Sequence, residues 1–296
     1  MSGTFTKHLQ GSGKRDCPCA NRTHSVLEAE QQEHEPSGTL EISTIRRGIR
    51  FENVSFNYQP EATSTLHHLT FNIPAGKTTA IFGASGSGKT TIVNLLLRLY
   101  PPNGGLISVD GNPLQDLSRA QWLAMVGVAG QDVDLISGSV ADNIRLADSH
   151  ASQASIAAVA EALGISEFLN SLPDCENTWV GQQEIRFSGG QRQCIGLARA
   201  VLRKPKLLIL DEAINAMDTA LEQQVWRAIT TLFAGCTILL ITHRIETVLG
   251  VDNVVCLADG CITGEGSPRE MLRDPASTLS LALLAKEDAK RTTDLK

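Results

Sequence analysis

The chain has 296 residues, of which 42% are apolar, 20% are charged and only 4% are aromatic. This is the composition of a globular protein with a full core, and it excludes collagen-like, mucin-like and wholly disordered chains. The net charge of -6 argues against a surface that binds a nucleic-acid backbone.

No apolar run approaches the ~20 residues of a membrane-spanning helix, and the start of the chain lacks the apolar core of a secretory signal. Residues 1–47 are rich in Gly, Ser, Glu, Gln and His without apolar periodicity, which predicts a disordered leader or linker. The cysteine pair at 17–19 has no second pair at zinc-finger spacing. A metal or redox role for this pair is therefore the less favoured interpretation. Cys194, Cys236 and Cys256 lie among apolar residues and are predicted to be reduced core thiols.

The first predicted strands have the alternation of a half-buried sheet. Residues 49–58 alternate apolar and polar side chains, and a second such stretch covers residues 69–73 before Pro74. We therefore predict an antiparallel sheet at the start of the domain. An apolar strand at 79–82 follows, then a Gly/Ser-rich loop and an apolar helix from Thr90 to about Tyr100.

Helical spacing and alanine-rich composition over residues 152–172 predict a helical subdomain at about 135–190. Continuous apolar runs further along are typical of buried parallel strands. The runs predicted as strands are residues 207–210, 238–241 and 254–257. The charged residues 286–296 are predicted to be a flexible tail.

The loop after the strand at 79–82 fits the pattern G-x-x-x-x-G-K-[ST] from Gly83 to Thr90. Its glycines let the backbone wrap a phosphate chain with N–H groups pointing inward, at the positive end of the following helix. Lys89 can reach the terminal phosphates, and the Thr90 hydroxyl can bind Mg²⁺. The alternative is a flexible Gly/Ser loop with a solvated lysine, and the strand and helix on either side favour the phosphate loop.

Two carboxylates, Asp211 and Glu212, follow the apolar run at 207–210. The carboxyl ends of parallel strands are where open α/β sheets bind ligands. Asp211 is predicted to hold Mg²⁺, and Glu212 to take a proton from an attacking water. The alternative is that the two acids merely begin a loop, and the phosphate loop upstream argues for the functional interpretation.

The segment Phe187-Ser188-Gly189-Gly190-Gln191 resembles the signature loop of the ATP-binding-cassette (ABC) superfamily, usually L-S-G-G-Q. A serine hydroxyl and glycine amides at a helix N-terminus make an anion site. Taken alone, the same residues are also typical of a simple helix-capping turn. They do not stand alone, because the other motifs of the superfamily occur in the same order.

Four further positions match those motifs. Tyr58 matches the aromatic residue that stacks on adenine, and Gln131 matches the Q-loop glutamine that senses Mg²⁺ and the transmembrane partner. The segment 215–218 resembles the D-loop, and His243 matches the switch histidine that contacts the γ-phosphate. The segments 131–144 and 178–181 are most similar to nucleotide-binding domains of exporter-type ABC transporters.

The resemblance implies an α/β P-loop NTPase fold over residues 48–285. It consists of a RecA-like core sheet, an N-terminal antiparallel β subdomain and an inserted α-helical subdomain. It implies that ATP and Mg²⁺ are the ligands. The implied catalytic residues are Glu212, His243, Gln131 and Lys89, and the implied metal ligands are Thr90, Gln131 and Asp211. The implied nucleotide-binding residues are Tyr58, Gly83, Ser85, Gly86, Ser87, Gly88, Lys89, Thr90, Thr91, Gln131, Ser188, Gly189, Gly190, Gln191 and His243.

The family also implies partners. Two cassettes pack head to tail, and a transmembrane domain binds through the Q-loop and the helical subdomain. We expect no nucleic-acid partner and a location on the cytoplasmic side of a membrane, peripheral through the transmembrane partner. The partner cassette can be identical or related, and the chain can be a separate subunit or part of a longer transporter.

The sequence departs from the exporter pattern at a few positions. Gln182 stands where exporters often have Glu, and Ile136 stands where an aromatic residue often meets the membrane partner, so that contact is expected to be atypical. Phe187 for Leu and Asn215 for Ser are milder changes near the dimer interface.

Two other functions stay open at this stage. One is a soluble ABC ATPase of DNA repair or translation. The single cassette, the acidic charge and the lack of room for a long coiled coil between phosphate loop and signature argue against it. The other is a regulatory module that binds ATP without hydrolysing it, and the intact Asp211, Glu212 and His243 argue against that.

Overall fold

Three stretches of the chain, residues 38–59, 65–180 and 187–294, are described by the computed structural model. The cysteine pair at 17–19, Gly181 and Gln182 lie outside the described residues. Within the described part, no helix is both long and apolar enough to cross a bilayer.

Strands and helices alternate along most of the chain. In chain order the strands are β1 (Gly48–Phe56), β2 (Leu66–Pro74), β3 (Thr78–Phe82), β4 (Gly104–Val109), β5 (Asn112–Pro113), β6 (Val126–Ala129), β7 (Gly138–Ser139), β8 (Trp179–Val180), β9 (Leu207–Asp211), β10 (Thr237–Thr242), β11 (Asn253–Ala258) and β12 (Cys261–Gly266). The α-helices are α1 (Lys89–Leu96), α2 (Arg119–Met125), α3 (Val140–Arg145), α4 (Gln153–Leu163), α5 (Ser166–Asn170), α6 (Gly189–Leu202), α7 (Thr219–Leu232), α8 (Ile245–Val248), α9 (Pro268–Met271) and α10 (Thr278–Asp294). Short 3₁₀ turns cover Leu114–Asp116 and Cys175–Asn177.

The first sheet is antiparallel and has the order β2-β1-β4-β5. Alternate side chains of β1 are buried, as expected for a strand with one covered face. Phe51 of β1 stacks on Phe71 of β2 with ring centroids 4.4 Å apart. The register shifts between Phe51 and Val54, which accounts for the break in the alternation there. The predicted antiparallel sheet is confirmed.

The second sheet has six strands in the order β12-β11-β3-β10-β9-β6, and only β12 runs antiparallel to its neighbour. Thr242 at the end of β10 is level with Phe82 at the end of β3. Ile241 of β10 is level with Asp211, the last residue of β9. The loops that follow these three strands therefore leave the sheet at one edge, as Asp211 and the phosphate loop require.

The six-stranded sheet separates two apolar layers, which is the physical reason for its continuous apolar runs. Leu207 and Ile209 pack with the first sheet and α1, whereas Leu208 and Leu210 pack with α6 and the helices of the other side. Because side chains alternate between the faces of a strand, the run at 207–210 is buried on both sides. The predicted α/β fold, with an antiparallel sheet beside a parallel core, is confirmed.

Helices α3, α4 and α5 fall within residues 135–190, where the sequence predicts a helical subdomain. The single helical stretch predicted at 152–172 is interrupted. Gly164 adopts the left-handed conformation with φ of +70° and ends α4, and its N–H bonds the Ala160 carbonyl. A second helix then begins at Ser166. In the same way α1 ends at Leu96 rather than near Tyr100, since Arg98 has a φ of +53°.

The predicted domain limits stay a prediction, but the structure differs from the expected termini at both ends. Residues 38–47 of the predicted leader are attached to the fold. The Leu40 N–H donates to the Asp116 carbonyl at 2.9 Å, and the Ser118 N–H donates to the Leu40 carbonyl at 2.8 Å. At the other end α10 continues through residues 286–294, so this part of the predicted tail is helical. The sequence pattern did not predict this attachment, because Leu40 bonds to residues 116 and 118, which are more than 70 positions away in the sequence.

Candidate functional site

The phosphate loop connects the end of β3 to the start of α1, as predicted. A Cβ atom at Gly83 would lie 2.2 Å from the Leu257 carbonyl oxygen, so only glycine fits there. Gly86 and Gly88 have φ of +80° and +103°, a backbone region that residues with a Cβ rarely adopt. Gly88 is also the N-cap of α1, and the loop therefore presents its backbone at the positive end of that helix.

Lys89 is buried at the first position of α1. Its Nζ donates to the carbonyl oxygens of Gly83 at 2.9 Å and Ala84 at 2.7 Å, so the loop itself holds the ammonium group. Burial lowers the pKa of Lys89, while the carboxylates of Glu212 and Asp211 act in the opposite direction. The lysine charge faces the carboxylates across the loop.

Asp211, at the end of β9, lies next to the hydroxyl of Thr90. The Thr90 Oγ1 is 3.4 Å from Asp211 Oδ2. Burial raises the pKa of Asp211, and the adjacent Glu212 raises it further. A hydroxyl and a carboxylate are hard oxygen donors of the kind that Mg²⁺ prefers, with phosphate and water filling the other positions. These two residues fit a Mg²⁺ ion that is shared with a nucleotide.

Glu212 and His243 form a pair. Glu212 Oε1 lies 2.8 Å from His243 Nδ1, and the glutamate side chain is only 18% exposed. Glu212 has a φ of +53°, a left-handed conformation that is unfavourable for a residue with a long side chain. Its N–H donates to the Ile241 carbonyl at 3.1 Å, which holds the Glu212 main chain against β10, the strand that His243 follows. The pair is suited to taking a proton and keeping its orientation while it does so.

These residues surround one open cleft of about 640 Å³. The lining residues that the sequence predicted are Ser85, Gly86, Gly88, Lys89, Thr90, Thr91, Gln131, Asp211, Glu212 and His243. The cleft is also lined by Thr65 and Ala84, which were not predicted. The alignment of the ends of β3, β9 and β10 brings the set together, although its residues are up to 178 positions apart in the sequence, from Thr65 to His243.

Three predicted nucleotide-binding residues lie beside the cleft rather than in its lining. Gly83 packs against Leu257, and the Ser87 hydroxyl is buried without a partner among the described residues. Tyr58 is 47% exposed, and its hydroxyl lies 3.0 Å from Asn94 Nδ2 on α1. The Tyr58 ring meets two neighbouring aromatic rings edge-on, and this holds it close to the phosphate-loop helix.

The signature segment caps helix α6. The Ser188 hydroxyl accepts from the Gln191 N–H at 3.2 Å, and Gln191 Oε1 accepts from the Ser188 N–H at 2.9 Å. The capping turn, which the sequence left open as an alternative, is therefore present. A Cβ atom at Gly190 would lie 2.8 Å from the Ala216 carbonyl oxygen, so the segment packs closely on residues 215–218. Ser188 and Gly189 are exposed, and no residue from 188 to 191 lines the cleft of the same chain.

Sequence reasoning missed two polar contacts that support the site. Arg244, next to His243, donates from Nη1 to Glu222 Oε2 at 2.7 Å, which connects the segment that follows β10 to α7. Gln193, on the buried face of α6, bonds to two loops, the one that contains Gln131 and the one between β9 and α7. The available signal was a glutamine four residues before Leu197, which places a polar side chain on the apolar face of an amphipathic helix.

A strand, a glycine-rich phosphate loop and a helix, with a carboxylate pair at the end of another strand of the same parallel sheet, define a P-loop NTPase. A family model described as ABC transporter matches residues 66–215, and the chain belongs to this family.

Three relatives are 37% to 39% identical to this chain over most of its length. The beta-(1→2)glucan export ATP-binding/permease protein NdvA of Rhizobium etli is 37% identical over 248 residues, which are 84% of this chain and 42% of that protein. The alpha-hemolysin translocation ATP-binding protein HlyB of Proteus vulgaris is 38% identical over 241 residues, 81% of this chain and 34% of that protein. ATP-binding cassette sub-family B member 10, mitochondrial, of Mus musculus is 39% identical over 281 residues, 93% and 38% of the two chains.

A solved structure of an ABC exporter is also similar to this chain. A bacterial Atm1-family ABC exporter with ATP bound superposes with a TM-score of 0.80 at 29% identity, over 90% of this chain and 47% of that chain. The chain thus spans less than half the length of these relatives.

Proposed function

We propose that this chain is the ATP-hydrolysing cassette of an exporter-type ABC transporter. The observation that carries the proposal is the shared cleft. Lys89, Thr90, Gln131, Asp211 and Glu212 come from three different loops, and all of them line it together with the switch histidine. A non-hydrolysing module has no need of the partly buried carboxylate pair Asp211 and Glu212.

In this proposal the phosphate chain lies in the glycine loop, against the backbone of residues 85–88 and the Lys89 ammonium. Thr90 and Asp211 would hold Mg²⁺, with Gln131 nearby, and the bound ion would supply positive charge beside the phosphates. Burial of Asp211 strengthens its attraction to a cation, because few water molecules screen the charge. Tyr58 provides the aromatic surface beside the loop for the adenine ring.

Glu212 accepts the proton of the attacking water. The Glu212 side chain is 18% exposed, and His243 Nδ1 orients it at 2.8 Å from Oε1. A fixed proton acceptor contributes roughly 10²- to 10⁴-fold to a rate. His243 is exposed enough to reach a terminal phosphate from the same position, and it therefore connects the phosphate to the proton acceptor.

The complete site needs two copies of the cassette. Ser188 and Gly189 are exposed at the N-terminus of α6 but do not line the cleft of their own chain. Backbone amides at a helix N-terminus bind anions. We propose that they close on the γ-phosphate held by the phosphate loop of a second, identical or related, cassette packed head to tail.

A transmembrane partner is proposed to bind beside the Q-loop. Ile136, two residues before β7, is 47% exposed, and Trp179, in β8, is 50% exposed. Asn143 is fully buried and holds the Ile136 loop, with Oδ1 accepting from the Ile136 N–H at 2.9 Å and Nδ2 donating to its carbonyl at 3.0 Å. An apolar surface on a fixed loop suits a helix end of a membrane domain, and it would keep the cassette at the cytoplasmic face of the membrane.

The test measures steady-state ATP hydrolysis with Mg²⁺ against the concentration of the chain, for the wild type and for Ser188→Arg. Ser188→Arg adds a bulky cation to the anion site of the second cassette. The matched control is Ser152→Arg, because Ser152 caps α4 with the same kind of bond to the Ser155 N–H and lies outside the site.

We expect wild-type activity to rise faster than linearly with concentration. Ser188→Arg should lose both activity and ATP-driven dimerisation but still bind ATP as a monomer, and Ser152→Arg should resemble the wild type. A wild-type chain that binds no ATP would refute the proposed function. Unchanged dimerisation of Ser188→Arg would refute the composite site.

A further inference from the structure

One side chain joins the signature helix to the catalytic loops. Gln193 lies five residues after Ser188 on α6 and is 3% exposed. Its amide reaches three main-chain groups, one in the loop after β6 and two in the loop between β9 and α7. The distances are 3.5 Å from Nε2 to the Gln131 oxygen, 3.2 Å from Nε2 to the Glu212 oxygen, and 2.9 Å from Oε1 to the Ala216 nitrogen.

The chemistry of an amide matches this position. Nε2 carries two hydrogens and serves two carbonyls, while Oε1 accepts the one N–H that faces it. A hydrocarbon of the same shape would satisfy none of the three groups, and a carboxylate would satisfy only Ala216. Since the three groups surround a buried side chain, each of them loses its bond if Gln193 is changed.

The bond to the Glu212 carbonyl has a specific consequence. Glu212 holds a left-handed backbone conformation, with its N–H tied to Ile241 and its carbonyl tied to Gln193. A residue with a side chain stays in this conformation only where its surroundings hold it. The direction of the Glu212 carboxylate therefore depends on a bond made by the signature helix.

We propose that Gln193 is a positioning residue for hydrolysis, which sets the direction of the Glu212 carboxylate from the signature helix of the same chain. The inference rests on the proposed ATPase function. In the proposed dimer, the N-terminus of α6 faces the nucleotide bound by the partner cassette. Gln193 would then connect this helix to Glu212, the proton acceptor of its own cassette.

The test is a double-mutant cycle in kcat with Gln193→Met and Glu212→Gln, each alone and together. Methionine keeps the length and shape of glutamine without its polar atoms. A displaced catalytic group costs up to about a hundredfold, so Gln193→Met alone should lower kcat by about tenfold to a hundredfold. It should leave the Kd for ATP nearly unchanged.

If Gln193 acts through Glu212, the pair should be strongly non-additive. Adding Gln193→Met to Glu212→Gln should lower kcat little further, because the proton acceptor is already gone. The matched control is Gln224→Met, which removes a similar bond from Nε2 to the Gly164 carbonyl, at 3.1 Å and on the exposed side of α7. It should keep the wild-type kcat.

A second readout separates positioning from damage to the signature loop. The double variant should still form the ATP-bound dimer that Glu212→Gln forms. Loss of that dimer, an equal fold-loss from Gln193→Met in both backgrounds, or a wild-type kcat for Gln193→Met would each overturn the inference. If Gln193→Met does not fold, Gln193→Glu replaces it in the same cycle, since it keeps an acceptor for the Ala216 N–H.

The two proposals fail in different ways. If the wild type hydrolyses ATP and Glu212→Gln does not, but Gln193→Met is fully active, only the role of Gln193 is wrong. If the wild type neither binds nor hydrolyses ATP, the proposed function itself is wrong.

Discussion

Glu212→Gln is the variant that isolates proton transfer from the rest of the site. Glutamine has the same shape, and its amide oxygen can still accept the bond that now joins Oε1 to His243 Nδ1 at 2.8 Å. The side chain is largely buried, so its rotamer should persist. What the substitution removes is the negative charge and the ability to take a proton.

The expected loss follows from that single change. Removing a general base lowers a rate by roughly 10²- to 10⁴-fold, and this range corresponds to about 2.7–5.4 kcal/mol in the activation free energy. Glu212 also raises the pKa of Asp211, so the variant leaves Asp211 more readily ionised. Mg²⁺ and ATP binding should therefore be retained or strengthened, and the ATP-bound dimer should accumulate.

The assay combines steady-state ATP hydrolysis with sedimentation of the chain in ATP and Mg²⁺. Glu161→Gln is the matched control, because it makes the same charge change on the exposed side of α4. It should leave both hydrolysis and dimerisation at wild-type levels. Turnover of Glu212→Gln close to the wild-type rate would show that another group accepts the proton, and the mechanism above would be wrong.

Three further predictions concern stability. Asp211→Asn should stabilise the chain, measured by denaturant unfolding in EDTA without nucleotide. Because the folded pKa of Asp211 is raised, folding loses stability as the pH rises from the ordinary aspartate value of 3.8 through the raised pKa. The gain of Asp211→Asn should be present at pH 7 and vanish in acid, and a loss of stability at pH 7 would contradict the assignment. Trp122→Phe removes the buried bond from Nε1 to the Leu96 carbonyl at 2.7 Å, so it should lower the free energy of unfolding by about 2–4 kcal/mol. An unchanged denaturant midpoint for Trp122→Phe would refute this expected loss of stability. Asn143→Leu removes the side-chain partners of both main-chain groups of Ile136, so hydrogen exchange of the amides in residues 134–139 should become faster. Unchanged exchange protection would show that these bonds do not hold the loop.

Local patterns were enough for the elements of the core. The alternation at 49–58, the continuous apolar run at 207–210 and the glycine loop before Lys89 each predicted an element that the structure contains. Alternation and continuous apolarity report how many faces of a strand are buried, and this property is encoded within a few residues. The same reasoning predicted helices that extend too far at their C-terminal ends, because single residues in the left-handed conformation, such as Arg98 and Gly164, terminate the helix.

The candidate site also has features that local sequence patterns predicted and features that they did not. Each motif could be found by spacing, and the resemblance to ABC transporters put a role on Glu212 and His243 before any coordinates. Their 2.8 Å contact was not accessible, because it depends on the register of two strands whose residues are 31 positions apart. Gln193 had no motif at all, since its partners are main-chain atoms and any residue type can provide them.

By itself, the sequence determined which residues carry charge, which strands are buried on both faces, and where the backbone can turn around a phosphate. Those properties belong to side chains and short segments. Only the tertiary structure decided that β3, β9 and β10 end at one edge of a sheet, and that residues 188–191 do not line the cleft of their own chain. Strand order and register arise from long-range packing of two apolar layers, and no local pattern contains that information.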